Sequence, residues 1–459
     1  MIWPLLSLFK SEKIRREIVP LDQTLSVGLV NEPGIFTDLL REMLDHQGIS
    51  YEEINGQLPP ASSKYPVVLI ANYSSESYEL ARKSCLLEEN VVIATRILNL
   101  ELVLKCLSGT EDTKKDRFDL LVNQEESKLR DGIKDSLERL NFPLVLKWFW
   151  PGKSEICCVF THDVDWFSYS PFHKVVLHGR PRIFSILKML FESSVLRKDY
   201  GWNIPEIIEI QKKYGTKSSF YFQTHYEKGS SLLTKSVKML RSENFEIGLH
   251  ASHSSHETID ALKNELNLFE RNGCGFPAGI RFHILKFNVP KTWALESEAG
   301  MEYDATFCYN RFFGFRAETC LPFHPIAEAR MSITELPTSF MDWTALYRKK
   351  RGEDAQNILE EIKTKVKKYN GVLAVNFHNT YINKETFPDI YNLHEELAKE
   401  ARSNGWWTAT SRECVEWWSH RAGVELKPRM SDSKTVTVIP TDVTSIVYPD
   451  EKKFVIDHY

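Results

Sequence analysis

The residues best suited to chemistry lie in Cys157-Cys158-Val159-Phe160-Thr161-His162-Asp163-Val164-Asp165, an apolar run that ends in two carboxylates. Side chains two apart in an extended chain share a face, so Asp163 and Asp165 point the same way. Paired acids at a strand tip suit a metal or acid/base site; an Asp-rich strand exit that starts a turn is the ordinary alternative. A second concentration is Gly248-Leu249-His250-Ala251-Ser252-His253-Ser254-Ser255-His256, in a chain with only 14 histidines. Neutral imidazole at a strand exit can bind a borderline metal. His250 reads as a ligand, His253 is balanced between ligand and surface residue, and His256 reads as an exposed opening of a helix from Glu257 to Arg271. Ser254 or Ser255 would cap that helix. His162 either orients Asp163, sits over the substrate, or is simply a polar strand-end residue.

The elements that must position these groups alternate from Glu155 to about His420. Strand candidates fall at 218–223, 245–249, 278–281, 333–337 and 372–377, followed by or ending in His225, His250, Arg281 with His283, and His378. Strands that deliver ionisable groups from their carboxyl ends are the pattern of a (β/α) barrel or a distorted version of one. Residues 1–150 read as a small parallel α/β, Rossmann-like domain, with apolar strands at 26–30, 66–71 and 90–94 and helices at 36–46 and 78–87. No GxGxxG or GxxxxGK[ST] occurs there, so no nucleotide is assigned. Residues 421–459 hold β-type runs at 435–439, 445–448 and 453–456, read as a small appended sheet without chemistry of its own. Trp406, Trp407, Trp417 and Trp418 read as packing aromatics.

Composition narrows the class. The 459 residues carry a net charge of −4, with 42% hydrophobic and 26% charged residues, so nothing electrostatic points to nucleic acid or an anionic membrane. The first nine residues are apolar but lack a basic region and a small-residue cleavage site, and no run reaches the roughly 18 apolar residues of a membrane span. The eight cysteines are scattered without a CxxC, which favours reduced packing thiols and a cytoplasmic setting.

Several motifs, in order, resemble the polysaccharide deacetylase superfamily with its NodB-homology barrel: Thr161-His162-Asp163-Val164-Asp165, Ser219-Phe220-Tyr221-Phe222, Glu246-Ile247-Gly248-Leu249-His250, Gly279-Ile280-Arg281-Phe282-His283, Gly300 to Thr306, Gly314-Phe315-Arg316 and Phe377-His378-Asn379. The resemblance covers roughly residues 155–420, within a barrel domain read as 151–420, and implies a metal-dependent hydrolase that removes an acetyl or similar acyl group from an amide on an amino sugar or glycan. It implies Asp163 as general base, Asp165 and His250 as ligands of a divalent metal with Zn²⁺ the leading candidate, Arg281 as the partner that orients the base, and His378 as general acid. The chain departs from the family where the second metal histidine is expected, four residues after the first: that position is Ser254. The proline expected two residues after the arginine is His283. Two substitutes exist, His253 and His283, and His283 is preferred because it shares a side with Arg281 on an extended segment. With neither, the site would be two-legged.

Arg316, Asp304 and Asp342 are expected in loops over the same face, Asp304 more simply as the cap of its own loop. Trp166, Phe167 and Tyr169 read first as rim packing and second as a sugar platform. Two other readings stand beside the deacetylase: a metal-free amidohydrolase of the same fold acting on a non-peptide C–N bond, and a degenerate barrel that binds glycan without catalysis.

Overall fold

The barrel is built from β1 (Cys157–Val164), β2 (Ser218–Phe222), β3 (Glu246–Ala251), β4 (Gly279–Phe282), β5 (Tyr303–Asp304), β6 (Thr334–Glu335), β7 (Thr338–Met341), β8 (Val372–His378) and β9 (Trp407–Thr408). In this computed structural model the sheet order is β6-β5-β4-β3-β2-β1-β8-β7, with β9 beside the start of β1. Every pairing is parallel. Near-continuous burial of β1, β2 and β8 matches strands covered on both faces.

Connectivity forces this sheet to curl. A flat sheet of eight strands would hold its edges roughly 34 Å apart, at about 4.8 Å per strand. Yet the two edge strands, β6 and β7, are joined by Leu336 and Pro337 alone, a link that reaches at most about 11 Å. The result is a distorted parallel (β/α) barrel with a seam between β6 and β7.

The period-two alternation sorts side chains by face. From β1, Thr161 and Asp163 turn inward, where Arg281 reaches both. His162 turns outward instead, its ring centroid 4.7 Å from Phe220 and 5.3 Å from His394 on the helix Pro388–Ser403. It therefore neither orients Asp163 nor faces the interior. Glycine at 248 leaves room for an inward aromatic: a Cβ there would lie 2.6 Å from the Tyr221 ring.

The helix after β3 spans Ile259–Arg271 and is capped by Thr258, whose hydroxyl accepts from the Ala261 N–H at 3.3 Å, rather than by Ser254 or Ser255. Leu262, Leu266 and Phe269 form its buried stripe. Trp150 stacks on Trp418 and Trp407 with centroids 5.2 and 5.9 Å away, so the late tryptophans pack.

The structure describes residues 23–56, 65–111, 115–167, 191, 201–225, 231–430, 435–438, 445–448 and 455–458. Two compact units emerge: Lys105–Asn123 with Trp150–Ser419, and Met1–Leu104 with Gln124–Phe149 and His420–Tyr459. In the first, the strand-like pairing of Arg117 with Gly314 needs a glycine, because a Cβ at 314 (φ +95) would lie 1.9 Å from the Arg117 carbonyl oxygen. The second holds a parallel sheet in the order 51–54, 27–30, 68–70, 91–93. There His46 is buried between Glu126 at 2.5 Å and Glu42 at 2.9 Å. The late β-type runs do not form one module: 435–438 pairs with 429–430 and 455–458, whereas 445–448 pairs antiparallel with 144–147.

Candidate metal centre

Strand register brings the predicted residues together. Arg281 lies opposite His250 across β4 and β3, and His378 lies opposite Asp163 across β8 and β1. At the end of β3 and just past β1 and β4, His250, Asp165 and His283 form a group able to hold a metal ion. His250 Nε2 is 3.2 Å from Asp165 Oδ1 and 3.1 Å from His283 Nδ1, and His283 Nδ1 is 3.3 Å from that same oxygen. An ion about 2.1 Å from each ligand has neighbouring ligands about 3.0 Å apart in an octahedron and about 3.4 Å apart in a tetrahedron. The near-equilateral triangle falls between these values, so the residues present fit a divalent ion bound on one face.

His250 is prepared for that role. Its Nδ1–H donates to the Arg281 carbonyl at 2.9 Å, which assigns the proton and turns Nε2 toward the triangle. Burial opposes the charged imidazole, but Asp163 and Asp165 outweigh it and raise its pKa. Asp165 is opposed by burial and then held well below the usual carboxylate range by hydrogen bonds from His250 and His283. Gln223, beyond β2, donates to Asp165 at 2.7 Å.

The turn after β3 explains the departure at Ser254. Glu265 accepts from the Ser252 N–H at 2.8 Å, the Ser252 hydroxyl at 2.9 Å and the Ser255 hydroxyl, tying that turn to the next helix. His253 and Ser254 are exposed, and neither joins the group. His256, expected at the surface, is 6% exposed and packs edge-on to Phe282.

Beside the triangle, Asp163 is fixed on both oxygens: Oδ1 accepts from Arg281 at 3.0 Å and Oδ2 from Asn376 at 2.8 Å. Burial pushes its pKa up, but Arg281, His250 and His378 outweigh this and bring it to about 2. Arg281 has no exposed surface; it also donates to the Ala305 carbonyl, Thr161 and Thr338, and sits 4.6 Å over the Tyr221 ring. Opposite, His378 Nδ1 meets Asp342 Oδ1 at 2.6 Å, while its backbone N–H donates to Oδ2 at 2.7 Å. Burial opposes protonation of this ring, yet Asp342 raises its pKa to about 10. His378 Nε2 lies 3.8 Å from Asp165 Oδ2.

A cavity of about 230 Å³ opens over these groups, with Ile284, Leu285, Met341, Trp343 and Tyr381 as its apolar wall. Ile284 and Leu285 both take positive φ (52° and 55°) directly after His283, conformations that β-branched and bulky residues adopt only under constraint. Trp166 is 57% exposed with its ring 5.4 Å from His225; Phe167 is buried against Phe222, and Tyr169 lies outside the described residues. Asp342 reaches the expected face. Asp304 does not: it points behind the sheet and accepts from Thr306 in its own loop.

Thr161, Gln223 and Asn376 were not assigned roles from sequence, nor was Asp342 paired with His378. The signal for Thr161 and Asn376 was the period of two, since each lies two residues before a recognised site residue on the same strand. Gln223 stands two beyond Tyr221. The Asp342 pairing crosses between strand ends and has no local signal.

No family model matches this sequence, and no curated protein matches it. Among solved structures it is similar to a Mycobacterium smegmatis protein described as a polysaccharide deacetylase, at 16% identity and a TM-score of 0.41 over 59% of this chain and 93% of that one. It is similar to PuuE allantoinase at 14% identity and a TM-score of 0.40, over 60% and 93% of the two chains. BA3943 from Bacillus anthracis, a CE4 family pseudoenzyme, gives 14% identity and a TM-score of 0.32 over 58% and 66%. Likeness at this level says nothing of substrate or activity.

Proposed function

We propose that this protein is a metal-dependent hydrolase that removes an acetyl or similar acyl group from an amide nitrogen on an amino sugar or glycan. One observation carries the reading: an Arg-held carboxylate, Asp163, and a carboxylate-backed histidine, His378, stand opposite each other in register beside the three-ligand triangle. Asp165, His250 and His283 would hold a divalent ion, Zn²⁺ being the leading candidate, and such an ion polarises a carbonyl and acidifies water.

The chain's own groups account for the proton movements. Asp163, ionised at neutral pH, takes a proton from the attacking water as the new C–O bond forms. Arg281 and Asn376 keep its carboxylate aimed and charged. His378, held protonated by Asp342, gives its proton to the amide nitrogen as the C–N bond breaks, leaving a carboxylate and a free amine. The apolar wall of Leu285, Met341 and Trp343 limits water around the acyl group.

The test pairs elemental analysis with acetate release from N-acetylglucosamine oligomers. Near one equivalent of metal in the purified protein, lost in both Asp165→Ala and His283→Ala, supports the ligand set. Metal retained in Asp163→Asn together with loss of acetate release supports the base. Metal lost in Asp165→Ala but kept in His283→Ala removes His283 from the set, and no metal under excess ion removes the metallohydrolase reading.

A further inference from the structure

Four neighbouring strands of the barrel, in the order β4-β3-β2-β1, each deliver one polar side chain to the same spot. His250 comes from the end of β3, Asp165 and His283 from just past β1 and β4, and Gln223 from the residue directly after β2. Alternation sets the place of Gln223: it stands two residues past Tyr221, whose ring turns inward over Gly248, so both share the interior face. Its carboxamide bridges two atoms of the ligand triangle, with Nε2 2.7 Å from Asp165 Oδ1 and 3.2 Å from His283 Nδ1. Those separations bracket the roughly 3.0 Å between neighbouring ligands of an octahedral ion. The end of this side chain thus stands at ligand spacing from two ligand atoms. Neutral imidazole has a single acceptor nitrogen. Once His283 Nδ1 gives its lone pair to an ion it cannot accept from Gln223, and an N–H held beside that ion faces like charge. The terminal torsion of glutamine is broad and roughly two-fold, so a half-turn exchanges the amide nitrogen and oxygen with little other movement. Oε1 then faces the ion, and glutamine carbonyl oxygen is a ligand for divalent cations.

We propose that Gln223 is a metal-binding residue whose carboxamide oxygen ligates the same ion as Asp165, His250 and His283. The inference rests on the metal centre of the hydrolase reading above and deepens it: two groups from neighbouring strands, His283 and Gln223, make up for the serine at 254. The ligand set becomes one carboxylate, two imidazoles and one carboxamide. A neutral fourth ligand leaves more positive charge on the ion than a second carboxylate would, which favours polarising an amide carbonyl.

The test uses the full-length protein with Zn²⁺ as the only added ligand. Crystals grown with Zn²⁺ and measured at the zinc absorption edge locate the ion, with Gln223 Oε1 expected about 2.0–2.2 Å from it. A carboxamide more than about 3 Å from an ion held by Asp165, His250 and His283 would overturn the proposal and leave Gln223 as a hydrogen-bond donor to Asp165. This readout needs no variant to fold. In solution, competition against a fluorescent zinc chelator should show Gln223→Leu binding Zn²⁺ at least tenfold more weakly than the parent, since loss of even an outer-shell partner costs roughly that much. Gln223→Glu, which keeps an oxygen at the same reach, should bind at least as tightly as the parent. Gln223→Leu within threefold of the parent, or Gln223→Glu as weak as Gln223→Leu, would count against ligation. A parent that binds no Zn²⁺ removes the metal centre and this proposal together, whereas an ion seated on the triangle with Gln223 at a distance removes this proposal alone.

Discussion

Replacing Arg281 by methionine should unsettle the barrel through Asp163. The guanidinium is fully buried and donates to Asp163, Thr161, Thr338 and the Ala305 carbonyl at 2.8–3.1 Å. Asp163 falls from 3.8 to about 2 in the folded protein, worth ~2.5 kcal/mol of stability. Because the folded pKa is depressed, this stabilisation is present above pH 3.8 and is lost as pH falls toward 2. Without Arg281, burial acts on Asp163 with its strongest opponent gone and His250, His378 and the Asn376 amide left, so the carboxyl pKa rises. Breaking a buried pair from one side costs about 3–5 kcal/mol, which is the loss expected for Arg281→Met at pH 7. The loss should shrink by pH 4.5, where the variant's Asp163 takes up a proton. Asp163→Asn/Arg281→Met should lose at least ~1.5 kcal/mol less than the sum of the two single changes, since it strands no charge. Urea unfolding followed by tryptophan fluorescence, at both pH values, measures all three. Additivity within ~0.5 kcal/mol, or a loss independent of pH, would refute the reasoning.

Asp342→Asn keeps one acceptor for His378 but turns the other toward its backbone N–H as a donor. Acetate release should fall about 100-fold with metal content unchanged, and a rate within threefold of the parent would remove His378 as the acid. Gly279→Ala places a Cβ 1.9 Å from the Tyr303 ring, whose hydroxyl is held by Tyr221 and Glu246. A loss of about 3 kcal/mol or more in urea is expected, partly restored by adding Tyr303→Leu. In the other unit, Glu126 and Glu42 overcome burial to raise His46 to about 10. A raised folded pKa stabilises fully below the unfolded value of 6.5 and fades as pH climbs to 10, at most ~5 kcal/mol. Stability should therefore decline between pH 6.5 and 9.5 in the parent and stay flat in His46→Gln; parallel profiles would count against the pair.

How far sequence carried depended on strand length and on face. Seven- and eight-residue strands such as β1 and β8 were readable from apolar runs, and their ends led to Asp163, Asp165 and His378. β5, β6 and β9 have two residues each; β6 fell inside the 333–337 candidate, while β5 and β9 are too short for any periodic signal. His283 was reachable because alternation from Arg281 put both on one side, and the same alternation, applied one residue before Asp163, places His162 outward. Asp342 could not be paired with His378 from local pattern, because 36 positions and two helices separate them. Glu265 drawing the Ser252–Ser255 turn away is likewise invisible without tertiary contacts.

The register that sets Asp163 against His378 also dictates when the site can exist. The two residues are 215 positions apart by their numbers, so at about 5–20 residues per second on a ribosome Asp163 waits roughly 10–40 s for its partner strand. Throughout that interval the apolar Cys157–Phe160 stretch of β1 has no β8 beside it, and an unpaired strand edge of this kind invites pairing with other chains. Slowed synthesis downstream of β1 should therefore reduce the yield of folded protein more than the same delay placed after residue 378.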